Sequence, residues 1–241
     1  MKTDDLFRLV KTLREKCPWD RSQTLQSLKG KVIEESYELV EAISEDDLAA
    51  IMEEIGDVMF LAMFLARILE EDGKVDFDQL IESTIKKYRA KHPHVFEEKE
   101  LKDENAVLEF WHKSKEDIFA GIPEILPALL AAKVIQERAA RLGFDWPTHA
   151  GPLGKVREEL SEIDKGQGSE RHEEMGDLLF ACVNLARHLN IDPEDALRNA
   201  NKKFVRRFRR VLKELKSRGR DIDSVGLEEM DAIWDEIKRQ E

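Results

Sequence analysis

Ten carboxylates stand in two matching sets: Glu34, Glu35, Glu38, Glu54 and Asp57, then Glu158, Glu159, Glu162, Glu174 and Asp177. Each set reads EExxE followed downstream by ExxD. The second copy follows the first by 124 residues before the spacer (Glu34 to Glu158) and by 120 after it (Asp57 to Asp177), so its spacer is four residues shorter. Side chains three apart share a helix face. Glu35 and Glu38, Glu54 and Asp57, Glu159 and Glu162, and Glu174 and Asp177 therefore form facing pairs. Two adjacent helices, each offering one pair, bring four carboxylates together, as metal-binding bundles do. Without a cation such a cluster repels itself. Asp57 also stands one turn before Leu61 on a nearly all-apolar helix, and Asp177 opens LLFACVNLA. A carboxylate buried there needs a counter-charge or a ligand. All-oxygen ligation, with no cysteine and no helical HExxH, favours Mg²⁺ first and Mn²⁺ second. Magnesium keeps waters and shares substrate phosphates, which points to a phosphate substrate. One EExxE alone is most often a solvated helix face; its recurrence beside ExxD on apolar helices is what argues for a metal.

Cations suited to a polyphosphate are present. The run NKKFVRRFRR sets Lys203 and Arg207 four apart with Asn201 just before them, and Lys155 stands three residues before Glu158. A lysine point charge and an arginine fork together suit a triphosphate. The first half keeps only part of this set: Lys31, Lys87 and Lys91 match Lys155, Lys203 and Arg207, but Ile85 stands where the second half has Asn201. An isoleucine cannot hydrogen-bond a phosphate or a metal-bound water, so the first site is less complete. Trp234 offers a stacking surface for a base, or an ordinary core contact.

Holding these groups requires helices. Apolar residues recur at three and four, glycines are few, and no sustained β-branched alternation appears, so the spacing predicts an all-α fold. Leu6, Leu9, Val10 and Leu13 mark a first helix that ends before Pro18 and is followed by a loop, CPWDRSQT. Helices follow from 25 or 31 to 43, over 48–69 and over 76–90; the second half repeats the order with helices over 124–141, from 153, over 170–189 and over 193–216, and adds one over 227–238. The internal similarity predicts two tandem domains, 1–120 and 121–241, each a four-helix-type bundle.

Composition narrows the partners. A net charge of −12 with 37% charged residues argues against nonspecific nucleic-acid binding. Two cysteines, Cys17 and Cys182, imply no disulfide framework. The longest apolar run, 58–66, is too short to cross a bilayer, and the amino terminus lacks a secretory apolar core, so a soluble cytoplasmic protein without a membrane partner is expected.

With EExxE, ExxD and NxKFxxRF in place, together with CPWDRSQT, KHPHVF, RAARLGFDW and the final tryptophan-containing helix, the chain resembles the MazG family of nucleoside triphosphate pyrophosphohydrolases in its long, tandem-domain form. The resemblance implies a fold shared with dimeric dUTPases and phosphoribosyl-ATP pyrophosphohydrolase, a tight homodimer, and hydrolysis of a broad range of NTPs and dNTPs to monophosphate and pyrophosphate, mainly by the carboxy-terminal domain. It assigns the metal to Glu159, Glu162, Glu174 and Asp177, with Glu35, Glu38, Glu54 and Asp57 in the first copy. It ties Lys155, Glu158, Lys203, Arg207 and Trp234 to substrate binding or activity. In this reading the general base is Glu158 or Glu159, and the attacked phosphorus is α or β. Two rivals are a narrower dUTP or dCTP pyrophosphatase and a noncatalytic helical interaction protein whose carboxylates bind Mg²⁺ for stability.

Overall fold

In the computed structural model, residues 2–97, 101–103, 106–107, 110–111 and 117–240 are described, and these are helix and loop without a strand. The chain separates into two compact units, 1–102 and 103–241. Among the described residues no helix is long and apolar enough to cross a membrane.

The first unit contains α1 (Lys2–Lys16), α2 (Pro18–Ser22), α3 (Leu25–Glu45), α4 (Leu48–Glu71), α5 (Phe77–Lys91) and α6 (Pro93–Phe96). Local chemistry sets the ends of the central hairpin. Thr24 and Ser27 form a reciprocal capping box that starts α3, and Asp47 accepts from the amides of Ala49 and Ala50 to start α4. Between them Asp46 turns the chain in the left-handed region, a conformation its short polar side chain tolerates. The second half of α4 then buries Leu61, Phe64 and Ile68 against Val10 of α1 and Leu28 of α3.

CPWDRSQT is not a plain loop, because Pro18 opens the short helix α2 within it. Arg14 holds this segment. Its guanidinium, buried under Glu71 (2.6 Å), donates to the carbonyls of Asp20, Arg21 and Gln23 and lies 5.5 Å from the Phe64 ring. KHPHVF likewise closes into α6, with Pro93 in its first turn.

The second unit contains α7 (Ala128–Ala140), α8 (Ala150–Lys165), α9 (Ser169–His188), α10 (Pro193–Ser217), a single 3₁₀ turn (Ile222–Ser224) and α11 (Leu227–Arg239). The helix expected from 124 starts at Ala128 instead, since Pro127, with ψ of 134°, is not helical and disfavours a helical residue before it. Upstream, Arg138 of α7 donates to the carbonyls of Ile118 and Ala120, which ties residues 117–120 to this unit. α8 and α9 pair as a hairpin through Gly168, whose φ of 58° suits a residue without Cβ. Asp192 caps α10 just before Pro193. Val211 and Leu215 of α10 pack against Ile233 and Ile237 of α11, with Trp234 alongside.

Candidate metal centre and adjoining cavity

Each hairpin gathers acid at its middle. Glu35, Glu54 and Asp57 in the first unit offer carboxylate oxygens within 4.8 Å of one another, and Glu159, Glu174 and Asp177 do the same in the second. One member of each trio, Glu35 or Glu159, is buried, while the aspartate faces solvent. The second glutamate of EExxE sits inward because α3 and α8 turn that position toward the partner helix. Lys31 and Lys155 lie one turn before it and close ion pairs of 2.7 Å to Glu35 and 2.6 Å to Glu159. Both also reach the first glutamate, Glu34 or Glu158, at 3.1 Å.

The charges are uncomfortable together. Burial raises Glu174 above the ordinary carboxylate range, and the carboxylates of Glu162 and Glu159 push it further. Glu54 is raised in the same way, by burial first and then by Glu38, Glu35 and Asp57. Burial, followed by Glu35, also raises Glu38. Glu159 goes the other way, held down by its hydrogen bond to Lys155. The tight groups are threefold, but Glu38 acts on Glu54 and Glu162 acts on Glu174 from beside them. Glu54 Oε2 is buried and has no hydrogen-bond partner among the described residues. An unpartnered carboxylate oxygen inside an all-oxygen cluster fits a hard divalent cation.

The sign of the pH effect follows. A raised carboxyl binds its proton more tightly folded than unfolded, so the metal-free protein loses stability as pH climbs from the unfolded carboxylate range through the raised values. A cation replaces that proton. The melting temperature is therefore expected to rise on adding Mg²⁺ or Mn²⁺, more at about pH 7.5 than at about pH 5, where protons compete. Thermal melts with and without EDTA check this; an equal shift at both pH values counts against a carboxylate site.

In the second unit the cluster adjoins a large space. A cavity of about 560 Å³ is lined by Lys155, Glu159 and Asp177 at the acidic end and by Gln136, Trp146, Phe180 and Asn184 further along. Its size lies in the range of small-molecule pockets. Trp146 rests on the first turn of α8, where a Cβ on Gly151 would fall 2.2 Å from the indole ring. Its neighbour Asp145 pins the loop to α9 through Arg187 (2.9 Å to Nη1) and His188 (2.8 Å). Arg187, with help from His188, holds the Asp145 carboxyl down at about 2.

Of the residues singled out from the sequence, the structure brings Lys155, Glu159 and Asp177 to this cavity, with Glu174 in the carboxylate trio and Glu158 paired to Lys155. Asn201, Lys203, Arg207 and Trp234 lie on α10 and α11, where the Arg207 guanidinium sits 5.8 Å over the Trp234 ring. Gln136, Trp146 and Asn184 carry no expectation from spacing. One signal for Asn184 does exist: at an offset of 120 the first copy has Phe64 there, and Leu61 in place of Ala181. Phe64 and Leu61 fill the core of the first unit, whereas Ala181 and Asn184 leave the space open.

An all-α architecture with a carboxylate-bearing hairpin in each of two units, the second adjoining a cavity, suits metal-dependent phosphate chemistry. The model of the MazG nucleotide pyrophosphohydrolase domain matches residues 23–96 and 153–212, and the chain belongs to that family. It is 38% identical to the nucleoside triphosphate pyrophosphohydrolase of Escherichia coli (strain K12) over 256 residues, covering 99% of this chain and 97% of that protein. It is 39% identical to the nucleoside triphosphate pyrophosphohydrolase/pyrophosphatase MazG of Thermotoga maritima over 244 residues, covering 98% and 95%. Bacillus subtilis YabN, described as uncharacterized, is 40% identical over 238 residues, with 93% of this chain matching 49% of that protein.

Proposed function

We propose that the chain hydrolyses nucleoside triphosphates, ribo and deoxy and of broad base range, to the monophosphate and pyrophosphate, in a Mg²⁺-dependent reaction carried out by its second unit. The observation that carries this reading is the cavity that shares Glu159 and Asp177 with the carboxylate cluster and is lined at the same end by Lys155. Its apolar and aromatic walls suit a nucleoside, and its acidic end suits a metal-bound polyphosphate. The relatives named for this activity span nearly the whole chain, which supports it further.

Glu159, Glu162, Glu174 and Asp177 would hold Mg²⁺, with Mn²⁺ as a substitute, and Glu35, Glu38, Glu54 and Asp57 would hold it in the first unit. When bound, the ion supplies Lewis acidity toward the phosphates and lowers the pKa of a water. Lys155 keeps Glu159 ionised for its place in the cluster and offsets phosphate charge. Lys203 and Arg207 neutralise the rest of the triphosphate, with Asn201 as a neutral donor beside them and Trp234 beneath Arg207. Glu158 is the base: it is half exposed, while Glu159 is committed to the cluster and its carboxyl is depressed. A water attacks the α or β phosphorus, its proton passes to Glu158, and the bridging P–O bond breaks to release pyrophosphate. The working form is a cytoplasmic homodimer.

Incubation with each NTP and dNTP plus Mg²⁺, with products resolved by ³¹P NMR, tests the reading. Monophosphate and pyrophosphate in equal amounts from most bases is the expected result. Turnover of dUTP or dCTP alone would favour a narrower enzyme, and metal-dependent melting with no turnover would favour a binding protein.

A further inference from the structure

Asn184 of α9 is half-buried and lines the cavity. It stands on the helix stripe of Asp177 and Ala181, at spacings of four and then three, and both of these line the same space. Its Oδ1 accepts twice from Arg187, at 3.2 Å from Nε and 2.7 Å from Nη2. Arg187 is held in turn, since Asp145 accepts from its Nη1 (2.9 Å) and from its Nη2. A guanidinium has only protons to give, so turning the Asn184 amide over would set donor against donor, and its orientation is fixed. The Nδ2 arm that remains donates to no group among the described residues, yet it keeps accessible surface, unlike the unpartnered Oε1 of Gln136. A preset and reachable N–H donor is thus left on the stripe that forms the cavity wall.

Position narrows what meets that donor. Seven residues of helix carry Asn184 about 10 Å past Asp177, two turns beyond the carboxylate trio. A phosphate bound to a metal at the trio is out of reach of Asn184 at that spacing, whereas the far end of a nucleotide is not. Trp146 and Phe180 bring flat apolar surfaces to the same space, as a base requires.

We propose that Asn184 hydrogen-bonds the nucleobase, its Nδ2 donating to an acceptor on the base edge, and that Arg187, tied to Asp145, is the positioning residue that aims it. This rests on the nucleoside triphosphate reading above. Each common base carries such an acceptor, a ring nitrogen in the purines and a carbonyl oxygen in the pyrimidines, so the contact takes all of them. It discriminates only against a base with no acceptor to offer.

The test compares ATP with indole riboside triphosphate, whose base has the outline of a purine and no hydrogen-bond acceptor, in the full-length protein. Wild type is expected to show kcat/KM lower for the indole substrate by about 10- to 100-fold, mostly in KM. Asn184→Ala should bring ATP down to the indole level and erase the difference. Arg187→Met should shrink the ratio of the two substrates several-fold, because the amide is no longer aimed; an arginine that served the fold alone would slow both substrates equally and leave the ratio as it was. Equal kcat/KM for the two substrates in wild type overturns the proposal, and that comparison needs no variant, so a folding defect in either variant leaves it intact. Discrimination that survives in Asn184→Ala overturns it as well, and an unchanged ratio in Arg187→Met overturns the positioning role. A loss that follows removal of the 2′- and 3′-hydroxyls instead assigns the amide to the sugar and overturns the base contact. If wild type hydrolyses ATP, only this contact is at stake; if it hydrolyses no nucleotide, the functional reading falls with it.

Discussion

Asp177→Asn is expected to lower nucleoside triphosphate hydrolysis by about a thousandfold, while Asp57→Asn leaves most of it. Removing one carboxylate charge from a metal cluster forfeits several kcal/mol of charge stabilisation, and each ~1.4 kcal/mol is a decade in rate. Both aspartates are exposed members of their trios, so neither exchange opens a core or changes helicity. The contrast between them comes from what lies next to each cluster. Asp177 lines the cavity, whereas the helix that carries Asp57 buries Leu61 and Phe64 one and two turns further on. Steady-state kinetics at saturating Mg²⁺, with circular dichroism as the folding control, measures this. Equal losses in the two variants would show that both units react.

The second large effect is expected from Asn184→Phe. The first unit already shows the outcome of that residue choice: at the matching position Phe64 is 2% exposed and packs into a continuous core. A phenyl ring at 184 fills the room a nucleoside would take and removes one of the partners of Arg187, which keeps Asp145. KM should rise by about 100-fold or more, as expected when several kcal/mol of binding are lost. The Mg²⁺-induced rise in melting temperature should persist, because the carboxylates are untouched. Retention of a low KM in this variant would mean the nucleotide binds elsewhere.

Much of this protein is legible in its residues because helices report themselves locally. The period of the apolar positions, Thr24, Asp47 and Asp192 as caps, and Pro193 in a first turn place most helices within a few residues. The acidic trios are legible for the same reason, since i, i+3 spacing within a helix is local geometry. What the pattern misses depends on distant partners. Arg14 organises residues 18–23 through three carbonyls and an acid 57 positions away, and no spacing rule announces such a clamp. The cavity is harder still, because it exists through what is small, Ala181 and Asn184, and only comparison with Leu61 and Phe64 gives that smallness meaning. Gln136 reads as one more polar residue on an amphipathic helix until its burial is known.

The close seat of the Trp146 ring on Gly151 ties two properties that an enzyme often keeps apart. The turn it presses on leads directly into Lys155, Glu158 and Glu159, so under the proposed nucleotide reading a base that pushed the indole would press on the helix carrying them. Base size and speed of turnover would then share one piece of the fold, and a change at Gly151 would be expected to shift both.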